Sequence, residues 1–343
     1  MLHPAIDFNA LHCVSVLDGQ GAKDIMSVTL GSALSRPAPI LCGKKDDVLF
    51  VPELTLQLTS DRIVPMESVL FPWSLEFEVK RDFRKRAARY RQPFSCNRRE
   101  LDVCILSNFY SRNFFHWITE EMIRVMVLET AGFGGSYVAV GLPDFCHQFL
   151  RLMGVAPERI ITDVAGPTIF RSARYVTPVH ARVARDFSGA YFHLREKLLA
   201  TASSHSKFGS RIWLERRTGV NNPGRDIANP DEVIPILARY GVEFVDMAAM
   251  PVAEQIAIAH GASFLGGVHG AGFVHALFMK PQATVVECFA PVFINPGIHG
   301  ICSILDLDYS MLVYDFAYTG YPDGNKVRIS TEHLELVFQR VFR

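Results

Sequence analysis

From Leu101 onward, apolar runs of strand length alternate with amphipathic stretches of helical length. Leu101–Leu106 reads as a buried strand, and Phe114–Glu129 as an amphipathic helix. Tyr137–Val140 follows as a strand, Phe145–Met153 as a helix and Arg159–Asp163 as a strand. The alternation resumes with the strand Arg211–Glu215. Asn229 then caps a helix that has Pro230 at its first position, Asp231 and Glu232 in its first turn and Gly241 at its end. Val242–Val245, Val252–His260, Ser263–Val268, Phe273–Met279 and Thr284–Cys288 continue as strand, helix, strand, helix, strand. Such alternation predicts an open parallel sheet in each half of the chain, with helices on its faces. Upstream, Val48–Val51, Leu54–Leu58 and Leu75–Val79 have the β-branched and aromatic content of strands. Residues 1–45 carry little pattern.

The polar stretch Ser203–Ser210 contains a glycine and separates two such blocks, so it predicts a domain boundary. The expected division is residues 1–202, an α/β domain with a β-rich start, and residues 203–343, a second α/β domain. A chain of 343 residues is long enough for about two cores.

Composition adds exclusions. Hydrophobic residues make up 49% and charged residues 20%, as in an ordinary globular protein. Formal net charge is zero, so no whole-molecule field draws nucleic acid. The uncharged stretch Ala262–Met279 has the length of a membrane span, but four glycines and two histidines interrupt it, and it reads as buried strand, loop and helix. Met1–Gln20 is mixed in character and contains Asp7 and Asp18, which predicts no leader and a cytoplasmic protein. The seven cysteines are scattered and form no CxxC pair, as expected of reduced, buried thiols.

The candidate chemistry concentrates in Glu254–Glu287. There His269-Gly270-Ala271-Gly272 lies between a buried strand and a helix start, and Glu287 is expected at the end of the next strand. Backbone N–H groups at such a turn suit a diphosphate, and the acid suits ribose hydroxyls. A tight turn with no ligand explains the glycines equally well. The third glycine of a dinucleotide fingerprint is missing, because His275 stands in its place, and no Gly-Lys-Ser/Thr follows.

Two further constellations carry charge. Arg211–Arg217, then Arg225 and Asn229, place guanidinium groups near a strand end, where they would grip phosphate or form a solvated basic loop. In Asn113–Glu121, His116 and Glu120 fall on one helix face, as a base and its orienting acid would. Arg124 is four residues beyond Glu120, so a plain Glu–Arg pair is the competing assignment. Lys80–Arg91 holds seven basic residues in twelve and offers either a membrane-surface contact or a solvated face with an acidic intramolecular partner.

Taken together, these segments resemble glycosyltransferase family 61, which includes capsular polysaccharide biosynthesis proteins. The matching residues are Asn113–Glu120, Arg216, Arg225 to Asn229, Glu254-Gln255, His269–Gly272 and Val285–Glu287, in the family's order. The resemblance implies a GT-B fold, two Rossmann-like lobes facing a cleft. It also implies inverting transfer of a sugar from a nucleotide diphosphate, a UDP-sugar being the expected donor, to a glycan or lipid-linked acceptor hydroxyl, with no obligatory metal. On that reading His116 with Glu120 deprotonates the acceptor. Asn113 and Arg124 line the acceptor side or the cleft. Arg216, Arg225, Asn229, His269, Gly270, Ala271, Gly272 and Glu287 hold the nucleotide sugar.

The chain departs from the family pattern at Glu215, Pro230, Ile123 and His275, the last standing where the family has asparagine. Asp306-Leu307-Asp308 looks like the DxD that binds manganese in other sugar-transferring folds, but its apolar surroundings predict a helix cap or a strand start. The alternative function is a non-catalytic nucleotide-sugar or polyphosphate binder of the same fold.

Overall fold

A computed structural model describes residues 2–3, 42–58, 87–107, 110–176, 188–202, 208–215, 227–289, 297–313 and 328–342. The expected strand Leu75–Val79, the basic residues Lys80–Arg86, most of the Ser203–Ser210 boundary, Arg216 and Arg225 lie outside these residues.

The chain divides into two compact units, Met1–His180 and Ala181–Arg343. This boundary falls earlier than the expected one because helix α4 (Ser188–Thr201) belongs to the second unit. Its Tyr191, Leu194 and Leu198 are fully buried, and its Arg195 Nη2 donates to the Met279 carbonyl at 2.9 Å.

The first unit is built on a six-stranded sheet in the order β3-β2-β8-β5-β6-β7. The strands are β2 (Cys42–Val51), β3 (Leu56–Leu58), β5 (Asn97–Ile105), β6 (Ser136–Val138), β7 (Ile160–Ile161) and β8 (Thr168–Val176). The two-residue strands β1 (Leu2–His3) and β4 (Phe94–Ser95) pair separately. The sheet is mixed rather than wholly parallel, which corrects the sequence-based expectation for this half. A one-turn connection through Pro52–Leu54 and Thr55 (φ +51°) can only return the chain antiparallel, and β2 is also antiparallel to β8. Strands β8, β5, β6 and β7 are mutually parallel. Crossover helices α1 (Phe114–His116), α2 (Met122–Thr130) and α3 (Asp144–Leu152) join the last three. Val48, Phe50, Val103, Ile105, Val138 and Phe170 form the core on this sheet.

In the second unit five strands are all parallel: β9 (Arg211–Leu214), β10 (Glu243–Val245), β11 (Phe264–Val268), β12 (Thr284–Phe289) and β13 (Asp308–Val313). Their order is β10-β9-β11-β12-β13. The connecting helices are α5 (Pro230–Arg239), α6 (Val252–Gly261), a 3₁₀ helix (Ala271–Phe278) and α7 (Gly297–Ile304), and α8 (Thr331–Val341) closes the unit. Trp213, Val233, Phe264, Val286, Leu334 and Phe338 pack into one core. Asp308 begins β13, one of the two positions expected for it.

Each sheet reverses its direction of growth once. In the first unit β6 and β7 are added on one side of β5, and β8 on the other. In the second β10 lies on one side of β9, and β11, β12 and β13 on the other. Loops leaving the carboxyl ends of strands at such a reversal diverge, which opens a crevice for ligands. The segments with candidate chemistry leave β5, β9 and β11 at these points. Among the described residues no helix is long and apolar enough to cross a membrane.

Candidate active-site residues

Asn113 ends the loop that leaves β5. Its Oδ1 accepts hydrogen bonds from the backbone N–H of Phe115 (3.0 Å) and of His116 (3.4 Å), so it caps α1. A single π-turn, Trp117–Glu121, then joins α1 to α2, with the Met122 N–H bonded to the Trp117 carbonyl. Turns of this kind insert one residue into a helix and frequently occur at functional sites. His116 Nδ1 lies 2.8 Å from Glu120 Oε1. The Glu120 side chain is 2% exposed and that of His116 24%. Glu120 Oε2 is buried and accepts no hydrogen bond among the described residues. Tyr110 lies against the imidazole at 4.9 Å between ring centroids.

Arg124 does not line a cleft, contrary to expectation. It is buried, and its Nη1 lies 2.6 Å from Glu121 Oε2, while Nη2 donates to the Ile105 carbonyl at 3.2 Å. Burial opposes its charge, but Glu121 facing it raises the guanidinium's pKa above its ordinary value. Ser111 Oγ donates to the other Glu121 oxygen at 3.3 Å. The two adjacent acids are therefore divided, Glu121 serving the arginine and Glu120 the histidine. A histidine whose Nδ1–H points at a carboxylate is held in one tautomer, with its lone pair on Nε2. That is the form a proton acceptor needs.

The second cluster lies at the end of β11. His269 Nδ1 is 2.5 Å from Glu287 Oε1, and Tyr309 donates its hydroxyl proton to Glu287 Oε2 at 2.8 Å. Glu287 is 0% exposed and the His269 side chain 13%. The imidazole stacks on Phe289 at 4.5 Å, and the His269 N–H is bonded to the Cys288 carbonyl at 2.8 Å. Glu287 was expected at a strand end, facing ribose. It stands inside β12, paired with Gly267 on one side and Met311 on the other, where its carboxylate is enclosed by protein. Burial, and then the charge of Glu287, push the Tyr309 phenol above its ordinary range.

Gly266 and Gly267 let β11 pass close to β9. A methyl group on Gly266 would meet the Trp213 ring at 2.8 Å, and Gly267 has φ +152°. Gly272 differs, since a methyl group there would make only an ordinary contact with Leu214 at 3.6 Å. The 3₁₀ helix starts at Ala271, earlier than the expected helix Phe273–Met279.

The Glycosyltransferase 61 family matches residues 114–286, just over half the chain, a span that takes in His116, Glu120 and His269 and stops one residue before Glu287. The chain belongs to the glycosyltransferase 61 family. Its likeness to a Drosophila melanogaster EGF domain-specific O-linked N-acetylglucosamine transferase is 35% identity over 80 residues, 22% of this chain and 15% of the fly protein. A Veillonella parvula glycosyl transferase family 9 structure is 10% identical, covering 70% of this chain and 97% of that one, at a TM-score of 0.33.

In this member of the glycosyltransferase 61 family, the residue that stands where asparagine was expected has a definite place. His275 is buried, its Nδ1 2.6 Å from the Gly272 carbonyl and its Nε2 2.9 Å from Gln255 Oε1. Gln255 in turn donates to the Met250 carbonyl at 2.8 Å. His275 thus sits between the glycine loop and α6, and in its neutral form it donates its one N–H to one of these two oxygens. Burial lowers its pKa to about 4, against the opposing effect of the Gly272 carbonyl.

Asn229 is committed elsewhere. Its Nδ2 donates to the Ile329 carbonyl (2.9 Å) and to Glu232 (3.0 Å), and its Oδ1 accepts from the Ile329 N–H (2.9 Å). These bonds hold the segment entering α8 against the start of α5, so the amide is engaged within the protein and not presented to a nucleotide. Of the basic stretch, Arg89 pairs with Glu53 at 2.9 Å, and the buried Tyr90 donates to the same acid at 2.9 Å. Sequence reasoning missed Tyr309, and it named Gln255 in a motif without its contact to His275. Both reach their partners across strands or helices, and local spacing carries no signal for either contact.

Proposed function

We propose that this glycosyltransferase moves a sugar with inversion from a nucleotide diphosphate, a UDP-sugar first, to a glycan or lipid-linked acceptor hydroxyl. The transfer belongs to capsular, exopolysaccharide or other surface glycan synthesis. The observation that carries the reading is the His116–Glu120 pair, which Arg124 leaves intact by pairing with Glu121. His116 Nε2 takes the acceptor's proton as its oxygen attacks the anomeric carbon, and Glu120 stabilises the imidazolium that forms. A single displacement needs one such base and no covalent nucleophile.

The donor side is the turn His269–Gly272, which leaves β11 at the point where the sheet reverses. The space beside Gly272 supports close approach of a phosphate to the backbone there. Arg216 and Arg225, next in sequence to β9, are proposed as its counter-charges. The two units are the lobes of a GT-B transferase, the N-terminal one handling the acceptor and the C-terminal one the nucleotide sugar. No metal is required. The enzyme works in the cytoplasm, and Lys80–Arg91 makes peripheral contact with the membrane. The fly relative, an N-acetylglucosamine transferase by name, supports including an N-acetylglucosamine donor among those tried first.

The test is a thermal-shift screen of the purified protein with UDP-, GDP-, CMP- and dTDP-sugars, with and without EDTA, followed by transfer assays on the donor that binds. A chelator-insensitive shift, and transfer lost in His116→Ala with binding kept, are expected. Binding without transfer to any acceptor would favour the non-catalytic binder. Loss of binding in His116→Ala would remove His116 from the role of base.

A further inference from the structure

We infer that Glu287 and Tyr309 position His269 as the proton donor to the departing nucleotide diphosphate. The inference rests on the reading that the turn after β11 holds the donor, and it assigns that turn's histidine a role.

Glu287 has no surface for a ribose, its side chain being wholly buried on the central strand β12. One of its oxygens faces His269 Nδ1 and the other accepts from Tyr309. The chain Tyr309–Glu287–His269 therefore runs from β13 through β12 to the end of β11. A carboxylate held in this way fixes the tautomer and plane of an imidazole and stabilises its charged form. Phe289 fixes the other degree of freedom by stacking on the ring at an interplanar angle of 22°. The backbone of His269 is tied to Cys288, so the ring is held at both ends.

The neighbouring titratable groups do not compete for the role. Burial and the charge of Glu287 keep Tyr309 protonated, and they act on the Cys302 thiol from α7 in the same way. Cys288 is a buried thiol on β12. His299 of α7 meets the edge of the Tyr309 ring at 5.3 Å.

In the proposed step the acceptor O–H bond breaks and its proton passes to the general base. The acceptor oxygen bonds to the anomeric carbon. The bond from that carbon to the phosphate oxygen breaks, and its electron pair stays on that oxygen. The His269 imidazolium gives its Nε2 proton to the same oxygen. His269 then takes a proton from solvent and the base releases one, so the enzyme returns to its starting state.

The experiment measures calorimetric binding of inorganic pyrophosphate, which carries the diphosphate without a base or sugar. It is run between about pH 5.5 and 8.5, where imidazole titrates. The pH profile of transfer is recorded alongside for the wild-type chain, His269→Gln, Glu287→Gln and Tyr309→Phe. Pyrophosphate's own ionisation is common to both chains, so the difference between them is read: the loss of affinity in His269→Gln is expected to be greatest at the acid end and to shrink as pH rises. Glu287→Gln should lower kcat by roughly 10- to 100-fold and move the pH profile. Tyr309→Phe, which removes one hydroxyl and keeps the ring, should move the profile in the same direction with a native melting temperature. A pH dependence of binding unchanged in His269→Gln would overturn the inference, as would an unshifted transfer profile in Tyr309→Phe. Pyrophosphate failing to bind the wild-type chain at any pH would overturn the donor site itself, and the inference with it.

Discussion

Arg124 lies 2.6 Å from Glu121, three residues before it, and not against Glu120, four before it. Both spacings bring side chains together on a helix, so the choice is made by packing. The π-turn and the buried position of Arg124 over Ile105 settle it, and the result is a His116–Glu120 pair that Arg124 leaves alone.

Removing the acid from the Arg124 pair should be costly. Glu121→Ala leaves a buried guanidinium without its counter-charge and is expected to destabilise the fold by about 3–5 kcal/mol. Replacing both, Glu121→Leu with Arg124→Met, should recover most of that loss. Urea denaturation checks both. A single-variant loss below about 1 kcal/mol would mean that water reaches the pair.

Glu120 acts through His116, so its change should be milder than loss of the ring. His116→Ala is expected to lower kcat by about 10²–10⁴-fold, and Glu120→Gln by about 10–100-fold, both at native nucleotide affinity. Steady-state kinetics beside nucleotide titrations separate the two effects.

His275 predicts a pH dependence of stability. Its folded pKa of about 4 lies below its unfolded value, so between the two the unfolded chain binds more protons. Stability is then complete above about pH 6.5 and falls toward pH 4 by about 3 kcal/mol. His275→Asn should flatten that part of the profile, measured as melting temperature against pH.

The glycines should separate into two kinds. Gly266→Ala pushes a methyl group against Trp213 and is expected to cost about 1–3 kcal/mol. Gly272→Ala meets only an ordinary contact, so it should fold normally and weaken nucleotide binding alone. Calorimetric melting and nucleotide titration of the two variants provide the check. Unchanged nucleotide affinity in a folded Gly272→Ala would count against the turn as the donor site.

Asn229→Ala should behave as a stability variant. Loss of its two bonds to the Ile329 backbone is expected to cost about 1–3 kcal/mol. Nucleotide affinity measured well below the melting point should hold. A selective loss of affinity would return Asn229 to the binding site.

Much of this architecture is local and therefore readable from the chain. The apolar run Ser263–Val268 must be buried, Asn229-Pro230 must begin a helix, and His116 and Glu120 must share a helix face, because the 3.6- and 2-residue periods fix which side chains point together. The ordered motifs that carry the family resemblance are likewise a property of the chain, and the match over residues 114–286 agrees with them.

Tertiary structure decided the rest. Strands pair over any sequence distance, so the mixed sheet around β2, the return of β8 beside β5 and the placing of Tyr309 next to Glu287 have no local signature. Glu287 shows the difference most directly. Its residue type and its place after two valines suggest a hydroxyl acceptor at a strand end, but the folded chain buries the carboxylate completely. A charge with no access to water must find its partners within the protein, and it found His269 and Tyr309.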